Sequence, residues 1–340
     1  MLLFLVVLLS CKKRKNAECA FYYWQTTLTG TEIQVQYLDS LRCKRLFIKV
    51  LDIGKDELTG TIRPYALLEV SDTRLLQNRD WAPCVFITNE VFEGMSTEKA
   101  DWLAERTLVA VDDIARRMPA PYRELQIDCD WTAGTREAYF AYLDKVARGM
   151  DSLTELSATI RLHQYKFPGM TGVPPVDRGI LMAYNTGDVV HFERENAIYN
   201  PRDADKYWHG RQSTYPLPLD LALPLFSWTL LYRDSVLYKI IPGIPWQDLN
   251  DSLRFGLIEQ SLEVSRYRVM RETFIGGHYL RPGDLLRTEA ISPELLEQIV
   301  WQAHKIHAQR VAFFHLDTAI INRFPPSLIN EICAPFLQAH

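Results

Sequence analysis

Eight short apolar runs limit what this chain can fold into more than any other feature. They are Ala20–Thr26, Arg45–Leu51, Cys84–Asn89, Glu124–Thr132, Leu156–Leu162, Gly179–Tyr184, Leu219–Trp228 and Val311–Leu316. Runs this short and this rich in Val, Ile, Leu and aromatic residues read as buried strands. Segments of helical period separate several of them. Ser96 caps a helix reaching about Arg117, with Trp102, Leu103, Leu108, Val109 and Ile114 near helical spacing. Thr135–Met150 carries Tyr139, Phe140, Leu143, Val146 and Ala147 as an apolar stripe. Pro293–Ala308 and Pro325–Gln338 read as further helices, the second with Pro at its start.

Such alternation predicts a parallel sheet with helices outside it. Eight units within 340 residues predict an α/β fold, a (β/α)8 TIM-type barrel with insertions. An open doubly wound sheet is the competing architecture, but no GxGxxG follows any strand. No cofactor is expected. Residues 163–178 contain Pro168, Gly169, Gly172, Pro174 and Pro175, which disfavour a full helix between strands five and six. Residues 229–310 are too many for one helix, so the main insertion is expected between strands seven and eight, with a hairpin over Phe274–Arg287. Pro224 predicts a break in the seventh strand. Residues 54–80 are mixed and give no clear assignment.

Residues 20–340 are expected to form one barrel domain, preceded by a leader (1–10) and a basic tether (11–19). MLLFLVVLLS is apolar but too short to span a bilayer, and it matches the apolar region of a signal peptide without the charged region before it. Leu8-Leu9-Ser10-Cys11 resembles a bacterial lipobox, with Cys11 as the lipidation site. Lys12, Lys13, Arg14 and Lys15 could then lie near anionic head groups. The expectation is an exported protein, periplasmic or at the cell surface, held to the membrane by lipid. A net charge of −4 leaves no basic surplus for nucleic acid. Five cysteines besides Cys11 show no CxxC spacing and no His partners at zinc spacing, so no structural metal is expected. Export would permit disulfides, but the sequence reveals no pairing. Cys84 and Cys129 sit in apolar runs and read as buried thiols.

In such barrels the site lies at the C-terminal ends of the strands. Those ends read Trp24, Asp52, Asn89, Asp128, Asp130, Arg161, His163, Tyr184, Asn185, Trp228, His315 and Asp317. Aromatic faces stack on sugar CH groups, while amides and carboxylates bind hydroxyls, so the mixture suits a glycan. The fourth strand is the centre of this reading. Its alternation puts Gln126, Asp128 and Asp130 on one face, with the two aspartates about 7 Å apart at the α-carbons. Mutual repulsion at that spacing raises one pKa and supplies a proton donor beside an anion.

Ile127-Asp128-Cys129-Asp130-Trp131 resembles the I-D-x-D-W-E ending of the fourth strand in family-18 glycoside hydrolases, the chitinases and endo-β-N-acetylglucosaminidases. Met182-Ala183-Tyr184-Asn185 resembles their sixth-strand M-x-Y-D/N, and Ala222-Leu223-Pro224-Leu225-Phe226 is similar to their seventh-strand G-L-P-F-Y. The resemblance implies a divergent barrel of this type, in a bacterial lipoprotein group, and acid-assisted cleavage of a glycosidic bond. In the letter-for-letter register the catalytic Glu position holds Thr132 and the first Asp position holds Leu125. A shift of two residues makes Asp130 the general acid and Asp128 the group that orients the acetamido substituent, with Tyr184 stabilising positive charge. Trp24, Asn89, Trp131, Arg161, His163, Asn185, Trp228, His315 and Asp317 are expected to bind substrate. The eighth strand offers Phe314 and His315 where the family usually has Trp. Two other readings stand beside hydrolysis. One is a non-catalytic glycan-binding barrel, suggested by Thr132. The other is a metal-dependent hydrolase using Asp128, Asp130, His163 and His315, although no HxxxH or HxxE pair supports it.

Overall fold

The computed structural model describes residues 17–209 and 215–337. The leader, Cys11 and the lysines and arginine of residues 12–15 lie outside the described residues. Eight parallel strands close into a barrel: Glu18–Tyr23, Arg45–Lys55, Asp80–Ile87, Glu124–Asp128, Glu155–Arg161, Arg178–Met182, Leu219–Pro224 and Arg310–Phe314. The first pairs with the second from Ala20↔Arg45 to Tyr23↔Ile48, and with the eighth from Glu18↔Arg310 to Phe21↔Phe313. Those two pairings close the ring. The first strand starts at Glu18, inside the stretch expected as tether.

Period-two alternation divides the strand residues between two apolar layers. Ala20, Tyr22, Phe47, Cys84, Ile180, Met182 and Tyr184 fill the barrel interior. Their neighbours Phe21, Tyr23, Leu46, Ile48, Leu181 and Leu223 face outward under the helices. The helix Thr97–Ala115 is capped by the Ser96 hydroxyl, which accepts from the Lys99 amide. It buries Ala100, Leu103, Ala104, Thr107, Val111 and Ile114, while the large residues Trp102 and Val109 face solvent. Close approach to the barrel favours the small side chains over the bulky ones. Helix Arg136–Gly149 buries Tyr139, Tyr142, Leu143 and Val146 and leaves Ala147 exposed.

The floor of the barrel is a buried ion-pair network. The Arg310 guanidinium bonds Asp220 at 2.6 Å and also Glu124, and Glu124 takes a second bond from Arg45 at 2.5 Å. These residues come from strands eight, seven, four and two, so one network ties strands that are not all neighbours. Arg178 of the sixth strand adds a contact to Asp220 at 3.3 Å.

The seventh strand ends at Pro224, and the chain then enters a five-stranded antiparallel sheet running from Ser227 to Ala290. This insertion has its own core, including Leu231, Ile241, Phe255, Tyr267 and Leu286. The hairpin expected over Phe274–Arg287 is shorter. It joins Thr273–Ile275 to His278–Leu280, and Leu285–Ala290 belongs to the larger sheet. Gly276 and Gly277 both have positive φ, 52° and 77°, as a two-residue hairpin turn requires. Between strands five and six stand two short helices, Leu162–Lys166 and Pro168–Thr171.

Candidate functional site

A cavity of about 1070 Å³ opens at the C-terminal mouth of the barrel. Its base is Asp128, Arg161, Met182 and Tyr184, at the ends of strands four, five and six. Trp24, Phe226, Trp228 and Phe314 form aromatic walls. Pro242, Gly243, Ile244 and Gln247 of the insertion close one side, and His315, Asp317 and Arg323 line the stretch after the eighth strand. Phe314 is the hub of the wall: its ring lies 5.3–5.9 Å from those of Tyr22, Trp24, Tyr184 and Phe226. Tilted and edge-on arrangements of this kind are the favoured packing of aromatic rings.

Asp128 is the chemical centre. It is buried, and the Thr159 hydroxyl donates to its Oδ1 at 2.7 Å. Burial raises its pKa to about 6; the Arg161 guanidinium and Thr159 oppose the rise, while Asp130 and Asp52 add to it. Beside it, burial also pushes the Tyr184 phenol well above its ordinary value. The Tyr184 hydroxyl is buried against the cavity without a hydrogen-bond partner among the described residues, and so is Nδ1 of His315. Buried polar atoms of this kind cost free energy until something bonds them, so both mark positions where a ligand group fits.

The structure separates the two aspartates that strand alternation would put on one face. The fourth strand ends at Asp128. Asp130, beyond it, has a side chain 49% exposed and is gripped by Arg161 through a two-pronged contact, with Nη2 at 2.7 Å from Oδ2. It does not line the cavity. Thr132, at the Glu position of the other register, is also outside the lining. Its amide bonds the Thr135 hydroxyl at 2.9 Å, and that hydroxyl donates to Asn89 Oδ1 at 2.6 Å. Asn89 thus serves the loop after strand four, not the cavity.

Trp131 needs the same correction. Once the strand ends, its indole swings outward beneath helix Arg136–Gly149, stacks on Tyr139 at 5.2 Å and donates to the Thr171 carbonyl at 2.9 Å. It is a core residue. His163 is exposed on the helix Leu162–Lys166, outside the cavity. Of the expected residues, the mouth brings together Asp128, Tyr184, Trp24, Arg161, Asn185, Trp228, His315 and Asp317. The four groups of the metal reading do not converge, and among the described residues no set of three or more His, Cys, Asp or Glu side chains is arranged to hold a metal ion.

Sequence reasoning misses Glu289. Buried in the insertion, it accepts from Trp228 Nε1 at 2.7 Å and from the Ala197 amide at 2.8 Å, with Arg287 Nε 2.6 Å from its other oxygen. It therefore holds an aromatic wall of the cavity to the loop after strand six. No local signal exposes this role, because its partners lie 61 and 92 residues away in sequence.

By sequence the chain matches no family model and no curated protein. Its fold matches solved structures at low identity. The C-terminal domain of a putative chitinase from Desulfitobacterium hafniense aligns with a TM-score of 0.57 at 10% identity, over 94% of this chain and 99% of that one. The spore cortex-lytic enzyme SleL of Bacillus cereus aligns at 0.54 and 14%, over 95% of this chain and 75% of that one. A chitinase from Chromobacterium violaceum aligns at 0.54 and 10%, over 95% and 100%. The chain shares the closed (β/α)8 barrel of these glycoside hydrolases.

Proposed function

We propose that this barrel binds an N-acetylated glycan at its mouth and captures it without cleaving it. The observation that carries the reading is the pairing, in one cavity, of the buried Asp128 carboxyl with the unpartnered Tyr184 hydroxyl. An acetamido group satisfies both: Asp128 accepts from its N–H and Tyr184 donates to its carbonyl oxygen. Trp24, Trp228 and Phe226 supply faces for the sugar rings. Capture is favoured over cleavage because neither register of the fourth-strand motif puts a second carboxyl in the cavity beside Asp128. Asp130 is tied to Arg161, and Thr132 carries only a hydroxyl. The test is a glycan-array screen run beside a reducing-end assay on the same glycans. Saturable binding without product is expected; new reducing ends would overturn capture.

Hydrolysis is the second reading, and one observation favours it. A carboxyl raised to about 6 is a competent proton donor near neutral pH. Asp128 would then protonate the leaving oxygen as the glycosidic bond breaks, water would add to the anomeric carbon and return a proton to the Asp128 carboxylate, and Asp128→Asn would abolish product. Export and lipid attachment at Cys11 remain part of the proposal, supported by Leu8-Leu9-Ser10-Cys11 and the basic residues after it. Radiolabelled lipid incorporation that persists in Cys11→Ser would refute the attachment.

A further inference from the structure

Arg161 and Arg323 both line the cavity, and their surroundings differ. The Arg161 guanidinium is held by Asp130 through a two-pronged contact. Arg323 has no carboxylate partner among the described residues, where its hydrogen bond is from Nη2 to the Ile291 carbonyl at 3.4 Å. A guanidinium has five N–H donors, so most of those on Arg323 remain for a ligand. The chain reaches Arg323 just after the short helix Thr318–Ile321, and Ile291 directly follows the last strand of the insertion. His315 lies on the same stretch and lines the same cavity. Its ring packs edge-on against Phe314 at 5.3 Å, and its buried Nδ1 has no hydrogen-bond partner among the described residues. Burial lowers its pKa, so the ring is neutral near pH 7, and with the proton on Nδ1 it can donate a hydrogen bond there. Asp317 also lines this stretch, but its Oδ1 accepts the Ala319 amide at 2.7 Å.

We infer that Arg323 and His315 form a subsite for a carboxylate on the bound glycan, so that the preferred ligand is an acidic N-acetylated oligosaccharide. The inference rests on the glycan reading above and adds a charge preference to it. Arg323 supplies the positive charge, and its planar fork matches the two oxygens of a carboxylate. His315 supplies a further donor. The position across the mouth supports this division of the site. Asp128 ends strand four, and strands four and eight stand opposite each other in the ring of eight. A ligand with its acetamido group at Asp128 and Tyr184 thus has its carboxylate at the facing wall, away from the Asp128 carboxyl. Arg323 is then a specificity-determining residue, the group that separates acidic from neutral sugars.

The test is isothermal titration of the full chain with two probes that differ in charge alone. One is the N-acetylglucosamine tetrasaccharide. The other is the same tetrasaccharide with the 6-hydroxymethyl group of every ring oxidised to a carboxylate. Wild type is expected to bind the oxidised probe about tenfold more tightly. That ratio should shrink in about 0.5 M sodium chloride, because the added contact is ionic and reached from solvent. It should fall to near one in Arg323→Gln and take an intermediate value in Arg323→Lys, which keeps the charge without the fork. Arg116→Gln removes a positive charge from the outside of the barrel, where the Arg116 side chain is 75% exposed, and should keep the ratio. Equal affinity of wild type for the two probes overturns the inference and leaves glycan capture standing. Failure of both probes to bind overturns both. A ratio that survives Arg323→Gln, or that falls equally in Arg116→Gln, also overturns the subsite. If Arg323→Gln does not fold, the ratio in wild type and its salt dependence decide alone.

Discussion

Trp228 and Glu289 are joined where the insertion meets the barrel mouth, with the indole Nε1 donating to a carboxylate oxygen 2.7 Å away. The same oxygen accepts the Ala197 amide, so one buried carboxylate sets both a cavity wall and the loop after strand six. The insertion is therefore part of the site and not an appendage to it.

Glu289→Leu should loosen Trp228 and leave the Arg287 guanidinium without its carboxylate. Glycan affinity is expected to fall about tenfold, with Glu289→Gln losing less because an amide oxygen still accepts from the indole. Isothermal titration of both variants checks this. Equal affinity in wild type and Glu289→Leu would show that Trp228 holds its place unaided.

Tyr184→Phe removes a hydroxyl that has no hydrogen-bond partner among the described residues at the cavity base. The proposed acetamido contact predicts binding roughly 3- to 10-fold weaker, from loss of about 1 kcal/mol. Thermal stability should not fall, since no protein hydrogen bond is broken. A large drop in Tm with unchanged affinity would assign Tyr184 to packing instead.

The pH dependence of Asp128 separates capture from cleavage. If its carboxylate accepts an N–H, affinity is full above about pH 6 and falls as the group is protonated below it. If it donates a proton, turnover is full below about pH 6 and falls above. The same shift acts on stability. A carboxyl whose folded pKa is raised from 3.8 destabilises the fold as pH climbs through about 6. Asp128→Asn should then be more stable than wild type at pH 8, by about 2–3 kcal/mol. Denaturant midpoints at pH 5 and pH 8 measure it; an equal effect at both would remove Asp128 as the cause.

The floor network predicts the opposite sign. Burial alone would raise the Glu124 pKa, but Arg310, Ser157 and Arg45 outweigh it and the net shift is downward. Its contribution is therefore complete above the ordinary carboxylate range and is lost as pH falls through the lowered folded value. Glu124→Gln leaves Arg310 and Arg45 underpaired and should cost about 3–5 kcal/mol near neutral pH. Urea denaturation of the variant, with wild type followed down in pH, tests both statements.

The eight strands and the long helices are legible in the amino-acid order, because strand and helix periods are local properties of the chain. Even so, apolar spacing misplaces part of the buried face of Thr97–Ala115. Apolar size favours Trp102 and Val109, whereas proximity to the barrel selects Ala100 and Ala104. The site divides in the same way. Asp128, Tyr184, Trp24, Trp228 and His315 can be read from strand ends, since a closed barrel collects those ends at one mouth. Asp130, Trp131, Asn89 and His163 look the same by that criterion and lie elsewhere. The fourth strand stops at Asp128, and alternation says nothing about the turn beyond it.

The amino-acid order alone thus determined the barrel and most of the residues at its mouth, since both follow from short-range patterns repeated eight times. Tertiary structure alone decided which carboxyl faces the cavity, which tryptophan is a wall and which is core, and that Glu289 and Glu124 have partners far away in the chain. Those outcomes depend on groups that meet only after the ring closes, where burial and pairing between distant residues outweigh any local preference.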